Sequence, residues 1–156
     1  MLAKVIIVYE SLFGNTKMVA ESIIEGMGEV LGIETTLSKT KGVDFDQITK
    51  YDAILVGSPN HIGGVTRGIG KFIDKLGEIY LEGKVAAVFD TYRGRDFEKA
   101  MKKMERQIEE KIPGLELVTP GLSIKVKGIR GPIVEEELPK CREFGIKIAT
   151  LLKEQA

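Results

Sequence analysis

Short apolar runs alternate along this chain with longer amphipathic stretches. Apolar runs rich in β-branched residues occupy residues 4–9, 53–57 and 85–89, and turn residues bound each of them. Nearly continuous hydrophobicity over so few residues is typical of strands buried on both faces, as in a parallel sheet. The stretches between them carry apolar residues at helical spacing. The alternation therefore predicts about five strand–helix units, which is an α/β fold with a parallel sheet.

Four apolar stripes predict the helices. Their residues, in chain order, are Ala20, Ile23, Ile24, Met27, Val30 and Leu31; Val65, Ile69, Phe72, Ile73 and Leu76; Phe97, Ala100, Met101, Met104 and Ile108; and Leu138, Cys141, Phe144, Gly145, Ile148 and Leu152. Residues 33–39 alternate between apolar and polar, which predicts an edge strand. Residues 115–118 and 122–126 predict a last strand in two pieces. Since no linker or low-complexity tract interrupts the pattern, we expect a single domain over residues 1–156.

Composition excludes several classes of function. Lys plus Arg and Asp plus Glu both number 23, so the chain lacks the net positive charge on which nucleic-acid binding depends. A single cysteine excludes an intramolecular disulfide, and a single histidine argues against a metal centre. No apolar run approaches the roughly 20 residues that span a bilayer, so no membrane insertion is expected. Residues 1–4 lack signal character, which predicts a cytoplasmic protein.

Three loops are the candidates for a binding site. In open parallel sheets, ligands bind outside the carboxyl ends of the strands, where the strand order reverses. That rule selects residues 10–16, 58–68 and 90–96, all rich in Gly, Ser, Thr and Asn.

The first loop has the composition of a phosphate-binding loop. It lies between a predicted strand and a predicted helix, and a helix start offers unpaired N–H groups and the positive end of its dipole. Gly14 permits close backbone approach, while Ser11, Asn15 and Thr16 offer side-chain hydrogen bonds. The same three polar residues are also ordinary helix caps. From the residues alone, phosphate binding and capping are both open.

The other two loops supply an imidazole and an aromatic ring. His61 lies among Pro59, Asn60 and two glycines, and either borders a planar ligand or is an ordinary surface residue. Tyr92 offers a stacking platform or is simply a packed surface aromatic.

Taken together, the three loops give the chain a resemblance to flavodoxin-like proteins over essentially its full length. The Ser11-x-x-Gly14-Asn15-Thr16 loop is similar to the family's loop for the phosphate of flavin mononucleotide (FMN). Val56-Gly57-Ser58-Pro59 and Phe144-Gly145 are also similar to family sequences. The resemblance implies a doubly wound sandwich, with helices on both faces of a five-stranded parallel sheet in the order 2-1-3-4-5.

The resemblance also implies which residues hold FMN. Ser11, Gly14, Asn15 and Thr16 would bind the phosphate. Asn60, His61, Ile62 and Gly63 would border one side of the isoalloxazine ring, and Thr91 and Tyr92 the other. The implied cofactor-binding set also includes Leu12, Phe13, Pro59 and Gly94. No catalytic residue and no metal ligand is assigned.

Three departures from the family pattern stand out. Leu12 and Phe13 occupy positions at which many flavodoxins have hydroxyl residues, so backbone N–H groups must replace two phosphate contacts. There is no tryptophan, and the chain is neutral whereas electron-carrying flavodoxins are typically acidic.

We also expect Asp90 and the cations Arg67, Arg93 and Arg95 beside the flavin.

The resemblance implies a redox protein that carries electrons between partners through non-covalently bound FMN. The partner would be a redox protein or a small electron acceptor, and the oligomeric state is left open. Two alternatives stay open, an FMN-dependent quinone-type oxidoreductase and a flavin-free interaction module. Three other classes of protein are excluded. The chain lacks the acidic cluster of receiver domains, the Gly-Lys-Ser/Thr sequence of nucleotide-binding P-loops, and the Gly-x-Gly-x-x-Gly sequence of dinucleotide-binding domains.

Overall fold

The sheet explains the apolar runs of the sequence. A computed structural model describes residues 2–155. Its strands are β1 (Ala3–Tyr9), β2 (Ile33–Lys39), β3 (Ala53–Pro59), β4 (Val85–Tyr92), β5 (Glu116–Leu117) and β6 (Leu122–Lys125). All pairings are parallel, in the order β2-β1-β3-β4-β5, and β6 also pairs with β4. The predicted order 2-1-3-4-5 is confirmed, with β2 at an edge.

The last strand is divided, as the sequence predicts. β5 pairs with Val85 and Ala86, and β6 pairs with β4 from Phe89 to Tyr92. Between them the chain passes so close to β4 that a Cβ on Gly121 would lie 2.4 Å from the carbonyl oxygen of Val88. Regular pairing stops after Leu117 and resumes at Leu122, so residues 118–121 interrupt the strand.

Helices cover both faces of the sheet. They are α1 (Asn15–Met27), α2 (Arg67–Leu76), α3 (Lys99–Lys111) and α4 (Leu138–Gln155), with 3-10 segments at Thr40–Gly42, Phe45–Lys50 and Glu135–Glu137. Alternate residues of β1 enter different cores, Val5 and Ile7 with α1 and α4, and Ile6 and Val8 with α2 and α3. A strand buried on both faces must be apolar throughout. Within residues 2–155, no helix is both long and apolar enough to cross a membrane.

Glycines bring α1 and α4 into backbone contact. A Cβ on Gly26 would lie 2.0 Å from the carbonyl oxygen of Arg142, and one on Gly145 would lie 2.0 Å from that of Ile23. Cys141 on the same face is fully buried, and its burial raises the thiol pKa to about 12, as befits a structural residue. This contact fixes the position of α1, whose first turn lies at the carboxyl edge of the sheet.

Three predicted helical stripes extend beyond their helices. Val65 precedes α2, which begins only at Arg67 after the Thr66 cap. Leu31 lies beyond α1, which ends at Met27 before Gly28, and its side chain is 91% exposed. Phe97 precedes α3, because Glu98 takes a left-handed conformation (φ 61°) and the helix begins only at Lys99. The spacing of apolar residues does not show where the backbone leaves the helical conformation, so each stripe predicted helix beyond the true end in these three places.

Candidate functional site

The three candidate loops converge on one cavity at the carboxyl edge of the sheet. The cavity has a volume of about 300 Å³. It is lined by eleven of the predicted residues, namely Ser11, Leu12, Phe13, Asn15, Thr16, Pro59, Asn60, His61, Ile62, Thr91 and Tyr92. Three predicted glycines, Gly14, Gly63 and Gly94, do not line it; they have positive φ angles and shape the loops instead.

One end of the cavity is the amino terminus of α1. Gly14 is the N-cap residue of the helix and lies in the left-handed region (φ 90°). Because glycine has no side chain, it cannot cap the first turn with a side-chain hydrogen bond. Ser11 folds back over the loop, and its Oγ accepts a hydrogen bond of 2.9 Å from the Gly14 N–H. The N–H groups of the first helical turn have no intrahelical acceptor. Donors and the positive end of the dipole therefore meet the cavity where Asn15 and Thr16 line it.

Two buried threonines join this end to β4. The hydroxyl groups of Thr16 and Thr91 lie 3.0 Å apart, and both residues are almost inaccessible to solvent. Each hydroxyl can accept a second hydrogen bond. The pair fixes α1 against β4 and leaves acceptor capacity at the cavity wall.

The loop after β3 forms a tight turn at the mouth. The N–H of His61 donates to the Gly64 carbonyl at 2.7 Å, and that of Gly64 donates to the His61 carbonyl at 3.2 Å. Between them Ile62 has φ 52°, an uncommon conformation for a β-branched residue, and its side chain is 95% exposed. The Lys103 ammonium donates to the Gly63 carbonyl at 2.9 Å, which ties the turn to α3.

Asn60 has a structural role that its position in the sequence does not reveal. Its Nδ2 donates to the Thr91 carbonyl at 3.0 Å and to the Asp90 carboxylate at 3.2 Å. Its Oδ1 accepts from the N–H of Ala100 at 3.0 Å. Asn60 lines the cavity, but its side-chain amide connects the loop after β3 with β4 and the start of α3.

Asp90 was expected beside the flavin, but it does not line the cavity. Its side chain is fully buried under the loops, where it accepts hydrogen bonds from Ser123 Oγ at 2.5 Å, the Met101 N–H at 2.8 Å and Asn60. Burial outweighs these donors and raises the carboxyl pKa from 3.8 to about 6. Of the expected cations, Arg93 lines the cavity, whereas Arg67 and Arg95 do not.

A fourth wall was missed by the sequence analysis. Val126, Gly128 and Ile129 also line the cavity, on a hairpin over residues 126–133. The Lys127 N–H donates to the Pro132 carbonyl at 2.9 Å, and the Arg130 guanidinium lies 5.8 Å from the centre of the Phe13 ring. The sequence carried a usable signal, because this segment follows the end of a parallel strand and so belongs to the same sheet edge.

Comparison with known proteins fits this architecture. A family model described as the flavodoxin domain matches residues 6–126. The chain belongs to the flavodoxin family. Flavodoxin family proteins bind FMN.

Individual flavodoxins are similar at modest identity. A flavodoxin of Aquifex aeolicus (strain VF5) is 31% identical over 96 residues, which cover 60% of this chain and 52% of that relative. The chain thus spans about half the length of this curated relative. A solved flavodoxin from the domain Archaea has a TM-score of 0.83 at 30% identity, covering 96% of this chain and 99% of that one. Flavodoxin 2 from Bacillus cereus has a TM-score of 0.78 at 30% identity, covering 99% of this chain and 100% of that one.

Proposed function

We propose that this chain binds FMN non-covalently in the cavity and carries electrons between redox partners, as a single cytoplasmic flavodoxin-like domain. The observation that carries the proposal is the uncapped amino terminus of α1, which opens onto the same cavity as Tyr92 and His61. FMN needs an anion site for its phosphate and a flat, largely apolar site for its ring. Groups suited to both requirements line this one cavity.

The phosphate end has the donors that an anion requires. The first-turn N–H groups of α1 supply backbone donors, and the side chains of Ser11, Asn15 and Thr16 supply polar groups. Leu12 and Phe13 contribute no hydroxyl, and their side chains are 60% and 49% exposed. We therefore assign phosphate binding to the backbone of this loop, with Gly14 giving the turn its shape.

The ring end has aromatic and apolar groups on separate loops. We assign Thr91 and Tyr92 to one side of the isoalloxazine and the turn at His61 and Ile62, after Pro59 and Asn60, to the other. The cavity volume of about 300 Å³ lies at the lower end of the range for small-molecule sites. When bound, FMN supplies one- and two-electron redox chemistry. The protein's part is to hold the ring, orient it and exclude water.

The lining residues favour an electron carrier over an oxidoreductase with its own substrate. Among residues 2–155, no carboxylate lines the cavity, and the nearby carboxyl of Asp90 is enclosed by its own hydrogen bonds. An enzyme that reduces a quinone also moves protons and benefits from a positioned acid or base. This cavity offers only His61 and Tyr92 for such a role.

Visible absorption and calorimetry test the proposal. Purified protein mixed with FMN and freed of excess should retain one flavin per chain, with an absorption that bleaches on reduction. Tyr92→Ala should weaken FMN affinity about tenfold, because the ring loses its aromatic contact. Tyr80→Ala is the matched control, since Tyr80 is 81% exposed and does not line the cavity. A protein that retains no flavin, or equal effects of both variants, would refute the assignment.

A further inference from the structure

The loops around the cavity present positive charge although the whole chain is neutral. Their cations are Arg93 and Arg95 after β4, and Lys127 and Arg130 on the 126–133 hairpin. All four side chains are exposed, and none forms an ion pair within residues 2–155. Unpaired exposed cations set the sign of the local potential.

The carboxylates of the same loops are partly buried and already partnered. Glu10 accepts hydrogen bonds from the hydroxyls of Thr40, at 2.8 Å, and Thr66. Asp96 lies 3.3 Å from the Lys99 ammonium, and Glu98 lies 3.3 Å from that of Lys102. Two of the three carboxylates therefore have a lysine partner, and Glu10 is the one carboxylate of these loops that has no cation partner among residues 2–155, so the four exposed cations outnumber it. The acidic 3-10 segment Glu135–Glu137 follows the hairpin; there Glu137 pairs with Lys140, whereas Glu135 and Glu136 are exposed and form no ion pair within the described residues, which reduces but does not cancel the positive charge of the loops.

An apolar centre accompanies these cations. Leu12, Ile62 and Ile129 come from three different loops, all line the cavity, and they are 60%, 95% and 65% exposed. Exposed apolar side chains gathered at one mouth and bordered by charge are typical of a surface that another protein covers.

We propose that this face docks a redox protein whose own centre is surrounded by carboxylates. The proposal rests on the proposed function, since it names the partner of the same cavity. The cations would steer the acidic partner during encounter, and the apolar side chains would exclude water from the contact. Bound FMN adds the negative charge of its phosphate, so the sign of the field has to be tested on flavin-loaded protein.

A charge-reversal pair isolates the cations. Arg95→Glu/Lys127→Glu changes two exposed residues that do not line the cavity. Lys50→Glu/Lys147→Glu is the matched control, with the same change in net charge at exposed positions outside the site. Both variants and the parent protein are titrated with fluorescently labelled poly-L-glutamate at increasing salt, and the flavin content of each sample is read from its visible absorption.

We expect Arg95→Glu/Lys127→Glu to weaken poly-L-glutamate binding about tenfold at low salt and to flatten its salt dependence, while the control binds like the parent. Equal binding by both variants would overturn the proposal. A sample without flavin would refute the proposed function instead, and the polyglutamate result would still decide the charge of the face.

Small oxidants give a second readout on flavin-loaded protein. Oxidation of the reduced protein by anionic hexacyanoferrate(III) should slow with rising salt, and oxidation by cationic tris(phenanthroline)cobalt(III) should accelerate. Arg95→Glu/Lys127→Glu should reduce or reverse both trends. Salt trends of the opposite sign in the parent protein would show that the face is negative and would overturn the proposal.

Discussion

The helices α1 and α3 begin at the same edge of the sheet but satisfy their amino termini differently. Each follows a residue in the left-handed region, Gly14 with φ 90° and Glu98 with φ 61°, and neither of these residues caps its helix through a side chain. In α3, the Met101 N–H donates to the buried Asp90 carboxylate at 2.8 Å, and the Ala100 N–H donates to Asn60. Neither first turn contains an acidic residue of its own, and within residues 2–155 no side chain accepts a hydrogen bond from a first-turn N–H of α1.

The difference separates a structural helix start from one available to a ligand. A carboxylate inside the protein already occupies the anion position of α3, so this helix cannot hold a phosphate there. The equivalent position in α1 lies open to the cavity. The two helices thus use the same electrostatics, one to join β4 to the neighbouring loops and the other, in our proposal, to bind FMN.

Removal of the internal anion should have the largest effect. Asp90→Ala leaves the Met101 N–H, the Asn60 amide and the Ser123 hydroxyl without their buried acceptor. Unsatisfied buried donors and a lost cap together should lower the free energy of unfolding by about 4 kcal/mol. Urea denaturation followed by circular dichroism measures this. Asp90→Asn keeps an acceptor and should lose much less, so equal losses in the two variants would contradict the role given to the hydrogen bonds.

The Asp90 carboxyl should also make stability depend on pH. Its pKa of about 6 in the folded protein lies above the ordinary 3.8, so the folded state holds the proton more tightly than the unfolded state. The resulting stability is fully present below about pH 4 and is lost as the pH rises through about 6. Relative to Asp90→Asn, the wild-type chain should lose about 3 kcal/mol between pH 4 and pH 7.

Urea unfolding of both proteins across this pH range provides the measurement, since titration of the other groups cancels in the difference. A difference that stays constant with pH would mean that Asp90 remains charged in the folded protein despite its burial.

The order of strand, loop and helix at the start of α1 was predictable from the sequence, whereas the hydrogen bonds at the start of α3 were not. A buried strand followed by Ser11, Gly14 and Thr16 is a local pattern, and strand, loop and helix follow in that order within one segment. The partners of Asp90 come from segments 30 or more residues away in two cases, Asn60 and Ser123. Only the folded chain brings them together, so Asp90 looked like one more polar residue of a loop.

The missed hairpin has a related cause. The hairpin over residues 126–133 follows β6, the second piece of an interrupted strand, and only the pairing of β6 with β4 places it at the carboxyl edge of the sheet. Gly131 (φ 91°) packs so closely on the Asn15 side chain that a Cβ there would lie 2.4 Å from Asn15 Oδ1. That contact crosses more than 100 residues of sequence, and no local pattern encodes it.

Placing a carboxylate on α1 should make it resemble α3. Asn15→Asp is nearly isosteric and adds negative charge to the first turn, which should stabilise the flavin-free protein by about 0.5 kcal/mol through the helix dipole. The same charge would repel phosphate and should weaken FMN binding about tenfold, as measured by calorimetry. Gln47→Glu, an equal charge change at an exposed residue away from the cavity, should alter neither quantity. Unchanged FMN affinity in Asn15→Asp would remove the phosphate from this end of the cavity.

The last test concerns the two left-handed residues themselves. No atom lies within 4 Å of a Cβ built on Gly14, so Gly14→Ala tests conformation alone and should cost about 1 kcal/mol of unfolding free energy. At the start of α3, Glu98→Ala and Glu98→Gly both lose the ion pair to Lys102, but only the glycine relieves the positive φ. Glu98→Gly should therefore be more stable than Glu98→Ala by about 1 kcal/mol. Urea denaturation of the three variants measures these differences. Backbone strain predicts that loss of glycine at position 14 lowers the free energy of unfolding, and that glycine at position 98 raises it relative to alanine. Equal stability of Glu98→Gly and Glu98→Ala would show that α3 tolerates its left-handed start without strain.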